Sequence, residues 1–166
     1  MKIQNYNKEN MNKSFKKNRI KLSKLQEDII TAIETLNYSL FVDLGCTTIV
    51  DLNFMFSSGG NLMYPIMSAA AKGSQEMLDL VLLNKTVNIH VKNDNGVNSY
   101  WIGCMYGHGQ ILKILAERGI DIFCFNQNKI NCMHLAVTKN YPHIVEMLLE
   151  SDFPLDMETL DGMTAL

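Results

Sequence analysis

The feature that most constrains this chain is a self-similarity at a spacing of 33 residues. The segment from Gly96 lies over the segment from Lys129 at that offset. Asn98 then meets Asn131, Gly103 meets Ala136, and Leu115 meets Leu148. Gly162-Met163-Thr164 opens another copy, again 33 residues after Lys129. An offset of 34 brings in an earlier copy, with Ala69-Ala70 over Gly103-Cys104, Gly73 over Gly107 and Met77-Leu78 over Ile111-Leu112. Each copy carries an apolar stretch with helical spacing, such as Ile111, Leu112, Ile114 and Leu115, preceded by a small-residue stretch such as Ser68-Ala69-Ala70-Ala71. Helices this short are marginal alone in water. A repeat of this length is one small unit that persists only when stacked on its neighbours.

The residues at the recurring positions resemble the ankyrin repeat, whose pattern runs G-x-T-P-L-H-x-A-A-x-x-G-H and on to G-A-D-V-N. One copy reads Tyr64-Pro65-Ile66-Met67, Ala69-Ala70, Gly73 and Glu76-Met77-Leu78. The next reads Gly96-Val97-Asn98-Ser99-Tyr100-Trp101, Gly107-His108 and Gly119-Ile120-Asp121-Ile122. A third reads Asn131-Cys132-Met133-His134, Ala136, Ile144-Val145 and Met147-Leu148-Leu149. The resemblance implies an all-α fold: an ankyrin-repeat solenoid of helix-turn-helix units with β-hairpin-like fingers, about four repeats and the start of a fifth. Its expected limits are 25–58, 59–92, 93–125 and 126–158, with an incomplete unit at 159–166. The degenerate first copy is expected to hold helices at Gln26–Leu36 and Tyr38–Thr47, with Asp51-Leu52-Asn53 in the D-V-N position. Several positions depart from the pattern. Trp101 stands where a turn His would, His134 keeps that His, Lys129 replaces the turn Gly, and Asp152 replaces the Gly after the second helix. Glycine is favoured where φ is positive, so Lys129 and Asp152 are expected to carry strain or mark altered turns. The chain stops as the fifth copy opens, so either the polypeptide continues or a partner covers that end.

The resemblance also implies where a partner protein binds. Carried over by motif position, a concave groove is lined by Lys72, Asp94, Asn95, Val97, Met105, Tyr106, Phe125, Gln127, Asn128, Ile130, Thr138 and Lys139. Met105 and Tyr106 are expected to form a contact surface, since aromatic and Met side chains are enriched at interface cores. Phe125 and Ile130 fit either contact with a partner or packing between successive fingers.

Composition narrows the class further. Hydrophobic residues make up 47% and charged residues 19%, enough for a core, and no run approaches the length of an apolar membrane span. The opening Met1-Lys2-Ile3-Gln4-Asn5 lacks the apolar region of a secretion signal. Cys46, Cys104, Cys124 and Cys132 form no C-x-x-C pair, and thiols used as small core hydrophobes suit a reducing compartment. A cytoplasmic location is expected. Residues 1–24 hold eight cations against Glu9 alone, a balance of +7 that leaves −9 on the other 142 residues. That segment is expected to be a disordered basic tail. Lys13 to Lys21 admits four readings: a solubilising tail, a nuclear import signal, a nucleic-acid arm, or a tether to an acidic surface. The acidic remainder does not favour nucleic acid.

Three motifs look chemical and are better explained by the repeat. Gly103 to Gly109 superficially resembles a phosphate-cradling loop, but its glycines fall at a helix-packing position and an inter-helix turn. Cys124, Cys132, His134 and His143 lack the tight pair that sets tetrahedral zinc geometry. Asp156 to Gly162 lacks the alternation and closing Glu of a calcium loop. No nucleophile and base pairing follows from the repeat geometry. The expected function is therefore a scaffold for protein binding, with no catalysis, metal or cofactor. Two alternatives stay open. The repeats are the targeting segment of a longer enzyme or channel, or they are a fixed subunit of a large assembly.

Overall fold

The computed structural model describes residues 21–165. Its elements in chain order are α1 (Lys24–Glu34), α2 (Tyr38–Asp43), β1 (Phe56–Ser58), β2 (Asn61–Met63), α3 (Pro65–Lys72), α4 (Gln75–Leu83), α5 (Ser99–Met105), α6 (Gly109–Glu117), α7 (Cys132–Thr138) and α8 (Pro142–Leu149). The odd-numbered helices pack side by side in the order α1, α3, α5, α7. The even-numbered helices form a second row in the order α2, α4, α6, α8, and each consecutive pair also packs within itself. Apolar side chains from both rows meet in one core that includes Ile29, Phe41, Met67, Leu78, Tyr100, Leu112, Met133 and Leu148.

Residues 1–20 of the expected basic tail lie outside the described residues. Residues 21–24 of that segment are described, and the first helix is capped by Ser23. Its hydroxyl accepts from the Gln26 amide at 3.3 Å while the Gln26 side chain accepts from the Ser23 amide at 2.9 Å, a reciprocal cap that starts the helix at Lys24. The first unit departs from expectation in two places. α1 stops at Glu34 because Leu36 turns left-handed, with φ 53°. α2 stops at Asp43 rather than 47, because Gly45 adopts φ 74° and the amides of Thr48, Ile49 and Val50 fold back onto its carbonyl.

The period is visible in local geometry. Asn98 and Asn131 cap α5 and α7, their side chains accepting from the amides of Trp101 and His134, each at 3.0 Å. Asn93 and Asn126 each fold a finger turn by accepting two amides further along the chain, those of Asn95 and Val97 and those of Asn128 and Ile130. Thr159 takes the equivalent place in the next finger, its hydroxyl accepting from the Met163 amide at 3.2 Å. The finger turns need a left-handed residue, and Lys129 supplies it at φ 58°, as Gly96 and Gly162 do elsewhere. Asp152 likewise adopts φ 51° after α8. Of the fingers, the first is a true hairpin, pairing Phe56 with Met63 and Ser58 with Asn61 around Gly59-Gly60. The finger after α6 keeps one bridge, Phe125 to Asn131.

The two ends of the helix rows differ from the middle. α6 is flanked by α4 and α8, whereas α8 packs on α6 alone within its row. Beside α7 and α8 lies an open cleft of about 310 Å3 lined by Val137, Tyr141 and Val145, and Leu149 is exposed. Amides in Ile144–Glu150 are therefore expected to exchange with solvent faster than those in Ile111–Ala116. Hydrogen exchange on the 166-residue chain checks this. Equal protection of the two segments would sink it.

Candidate partner surface

The inner helices α3, α5 and α7 end alike. Lys72, Tyr106 and Lys139 each sit immediately before a left-handed turn residue: Gly73 at φ 70°, Gly107 at φ 79° and Asn140 at φ 57°. All three side chains are exposed, Tyr106 by 51%. The Tyr106 ring stacks on His108, with centroids 6.3 Å apart and planes 12° apart. His108 in turn lies over Gly73, and its Nε2 donates to the Ala71 carbonyl at 3.0 Å. Tyr141 lies over Gly107 in the same manner one unit later. The tyrosine is thus held by a ring that is itself anchored to the preceding helix pair.

The remaining sequence-derived positions separate into three groups. Thr138 is exposed beside Lys139, whereas Met105 is half-buried against the core. On the fingers, Asp94, Gln127 and Asn128 are exposed and Asn95 is half-buried. Two of these also tie fingers together: Gln127 Nε2 donates to the Asp94 carbonyl at 2.7 Å, and the Asn128 carbonyl accepts from the Leu160 amide at 3.1 Å. Phe125 is 47% exposed, while Ile130 packs partly on the core. Val97 needs correction as a surface residue. It is only 2% exposed, because the Asn93 turn rolls its side chain into the core while fixing its amide.

Sequence reasoning missed how the turn histidine is replaced. Trp101 Nε1 donates to the Ile130 carbonyl at 2.8 Å. His134 Nε2 meets the Met163 carbonyl at 3.2 Å, across the same separation of 29 residues. Indole and imidazole here perform one task, pinning an inner helix to the next finger with a ring N–H.

The glycines of the apparent phosphate loop are packing devices. A Cβ at Gly103 would stand 3.0 Å from Leu112, and one at Gly109 would stand 3.1 Å from His143. His143 Nε2 donates to the Gly107 carbonyl at 3.2 Å, and Cys124 Sγ donates to the Gly96 carbonyl at 3.2 Å. Among the described residues no three His, Cys, Asp or Glu side chains gather as metal ligands would.

All four cysteines are buried. Burial pushes the Cys46 thiol up to about 11 and also raises Cys124 and Cys132, which disfavours the nucleophilic thiolate. A raised thiol pKa stabilises the fold while the unfolded thiol is still protonated. That contribution begins to be lost as pH passes the ordinary thiol value of about 8.5 and is gone only above the folded value. Stability to urea is expected to fall as pH rises from there towards about 11, the Cys46 value. Cys46→Ala should lessen the slope of that fall; an unchanged slope would show that burial of this thiol contributes nothing to it.

Residues 100–149 match the family described as ankyrin repeats (many copies), so this segment carries ankyrin repeats. Similar curated proteins include the ankyrin repeat and KH domain-containing protein mask-1 of Caenorhabditis elegans, 29% identical over 94 residues, or 55% of this chain. An ankyrin repeat and KH domain-containing protein of Caenorhabditis briggsae is 27% identical over 81 residues, or 49% of this chain. The chain spans 4% and 3% of the lengths of these two relatives. Ankyrin repeats are in general protein-interaction modules, and among the described residues no helix is long and apolar enough to cross a membrane.

Proposed function

We propose that this chain, which carries ankyrin repeats, is a protein-binding scaffold that holds a partner between its inner-helix ends and its fingers, with no catalysis of its own. Four stacked repeats of a solenoid, at 25–58, 59–92, 93–125 and 126–158, would make that concave surface, with the finger at 159–166 opening a fifth. The observation that carries the reading is Tyr106. It is a half-exposed aromatic stacked on His108 at a position where the equivalent residues of neighbouring pairs are also exposed. A ring ordered before binding loses little conformational freedom when a partner covers it. A cytoplasmic site of action fits the buried free thiols, with entry to the nucleus through the basic segment as a further proposal. The small share of its relatives that the chain spans favours a second reading, in which these repeats are the targeting portion of a longer polypeptide.

The test places a photocrosslinker at residue 106 or residue 113 and identifies what each position captures. Position 113, on the outer helix α6, is the comparison. Affinity of Tyr106→Ala for the captured protein is then measured. Binding should weaken about tenfold, roughly 1.4 kcal/mol. Stability should stay within about 0.5 kcal/mol, because the ring is not in the core. If Tyr106→Ala binds normally while Lys113→Glu does not, the outer helix face is the site.

A further inference from the structure

We infer that the chain takes a partner segment of acidic, extended character across the row Lys72, Tyr106, Lys139; this rests on the reading of the inner-helix ends as the binding surface. The row follows from the repeat itself. These three residues occupy one structural position in successive helix pairs, each directly before the left-handed turn residue. Packed helix axes lie about 8–10 Å apart, which sets Lys72 and Lys139 roughly 18 Å from each other with Tyr106 midway.

The two lysines are uncommitted cations. The ion pairs among the described residues are Lys24 with Asp28 and Lys92 with Asp121, and neither uses a residue of the row. They stand on a surface of opposite character, since residues 25–166 carry a balance of −9. An acidic guest is opposed by the net charge of residues 25–166 and attracted by these two cations, which favours binding in one register. The equivalent position in the first pair is Thr35, which is neutral, so the cationic row begins at Lys72.

Tyr106 adds the second element of recognition. Its ring lies nearly parallel to the His108 ring, and the half-buried Met105 lies beside it in the chain. This is a platform for an apolar or aromatic side chain. An extended chain advances about 3.3 Å per residue, so roughly 18 Å corresponds to about five or six residues. The fitting segment has two carboxylates that far apart with an apolar side chain between them. A single nucleic-acid strand fits less well. It places a phosphate every few ångströms, and those between the lysines would face an acidic protein without partners.

A display library of short random peptides, selected on the full chain, tests this. Enriched peptides should carry Asp or Glu at both ends of the expected span around an apolar centre. Their binding should weaken as salt rises. Lys72→Gln with Lys139→Gln should lower their affinity about tenfold, and the charge reversal Lys72→Glu with Lys139→Glu should select basic peptides instead. Circular dichroism melts serve to show that both variants remain folded. Neutral or basic peptides from the unmodified chain, no enrichment at all, or an acidic preference that survives the reversal would each overturn the inference. Tighter binding of single-stranded oligonucleotides than of the selected peptides would overturn it too. Crosslinks from a selected peptide separate the two readings. Neutral peptides crosslinking to residue 106 leave the surface assignment standing and remove the acidic class, whereas crosslinks to the outer helices remove both.

Discussion

Asn84→Ala is expected to destabilise the fold by about 3 kcal/mol, although the residue lies in no conspicuous motif. Asn84 is 2% exposed and uses its whole amide. Its Nδ2 donates to the carbonyls of Cys46 and Val50, both at 2.7 Å, and its Oδ1 accepts from Thr86 N at 2.9 Å and Thr86 Oγ1 at 2.7 Å. The two carbonyls belong to the connection after α2, so this side chain fastens the first helix pair to the second. A made hydrogen bond is worth only about 1 kcal/mol net, but a buried group left without a partner costs about 1–3 kcal/mol. Truncation orphans the two carbonyls at once. Asn84→Asp should be no better, because a carboxylate would face two carbonyl oxygens in place of a donor. Urea denaturation gives the loss, and hydrogen exchange should show it concentrated in residues 24–50. A loss under about 1 kcal/mol would mean that water replaces the amide at little cost.

The reach of the sequence is clearest where the period holds. The 33-residue spacing locates the paired helices, and it marks Lys129 and Asp152 as left-handed positions because glycines stand at Gly96 and Gly119 one unit earlier. It also places the turn histidine His134 and its stand-in Trp101. The bond from the Trp101 indole to the Ile130 carbonyl was not legible, because a period gives a position and says nothing of which ring atom reaches the next finger. The first unit was read least well, since it lacks the period. Nothing in its residues announces that Leu36, a bulky side chain, turns left-handed to end α1. Val97 was misplaced for a related reason. A position that faces outward in a family pattern is re-aimed when a local device intervenes, here the Asn93 side chain that gathers the Asn95 and Val97 amides. Of the candidate surface, the exposure of Lys72, Tyr106 and Lys139 follows from their place before the turn. The stacking of Tyr106 on His108 depends on how two helix pairs meet and is visible only in three dimensions.

That meeting is where glycine is least replaceable. Gly73→Ala is expected to cost about 3 kcal/mol, against about 1 kcal/mol for Gly119→Ala, although the two backbones are nearly alike at φ 70° and φ 79°. The left-handed conformation penalises any Cβ, and that share is common to both sites. The difference comes from the neighbours. A Cβ at Gly119 would meet nothing within 4 Å, whereas one at Gly73 would lie 2.5 Å from two atoms of the His108 ring and 2.8 Å from a third. The clash involves the body of a ring and not the end of a flexible chain. Relief requires His108 to move, which breaks its bond to the Ala71 carbonyl at 3.0 Å and lifts the ring that supports Tyr106. Two readouts should therefore change together. Thermal denaturation should show the larger loss for Gly73→Ala, and partner affinity should fall in that variant but not in Gly119→Ala at temperatures where both remain folded. Equal destabilisation by the two substitutions would mean that the backbone penalty is the whole effect and that the His108 ring yields freely.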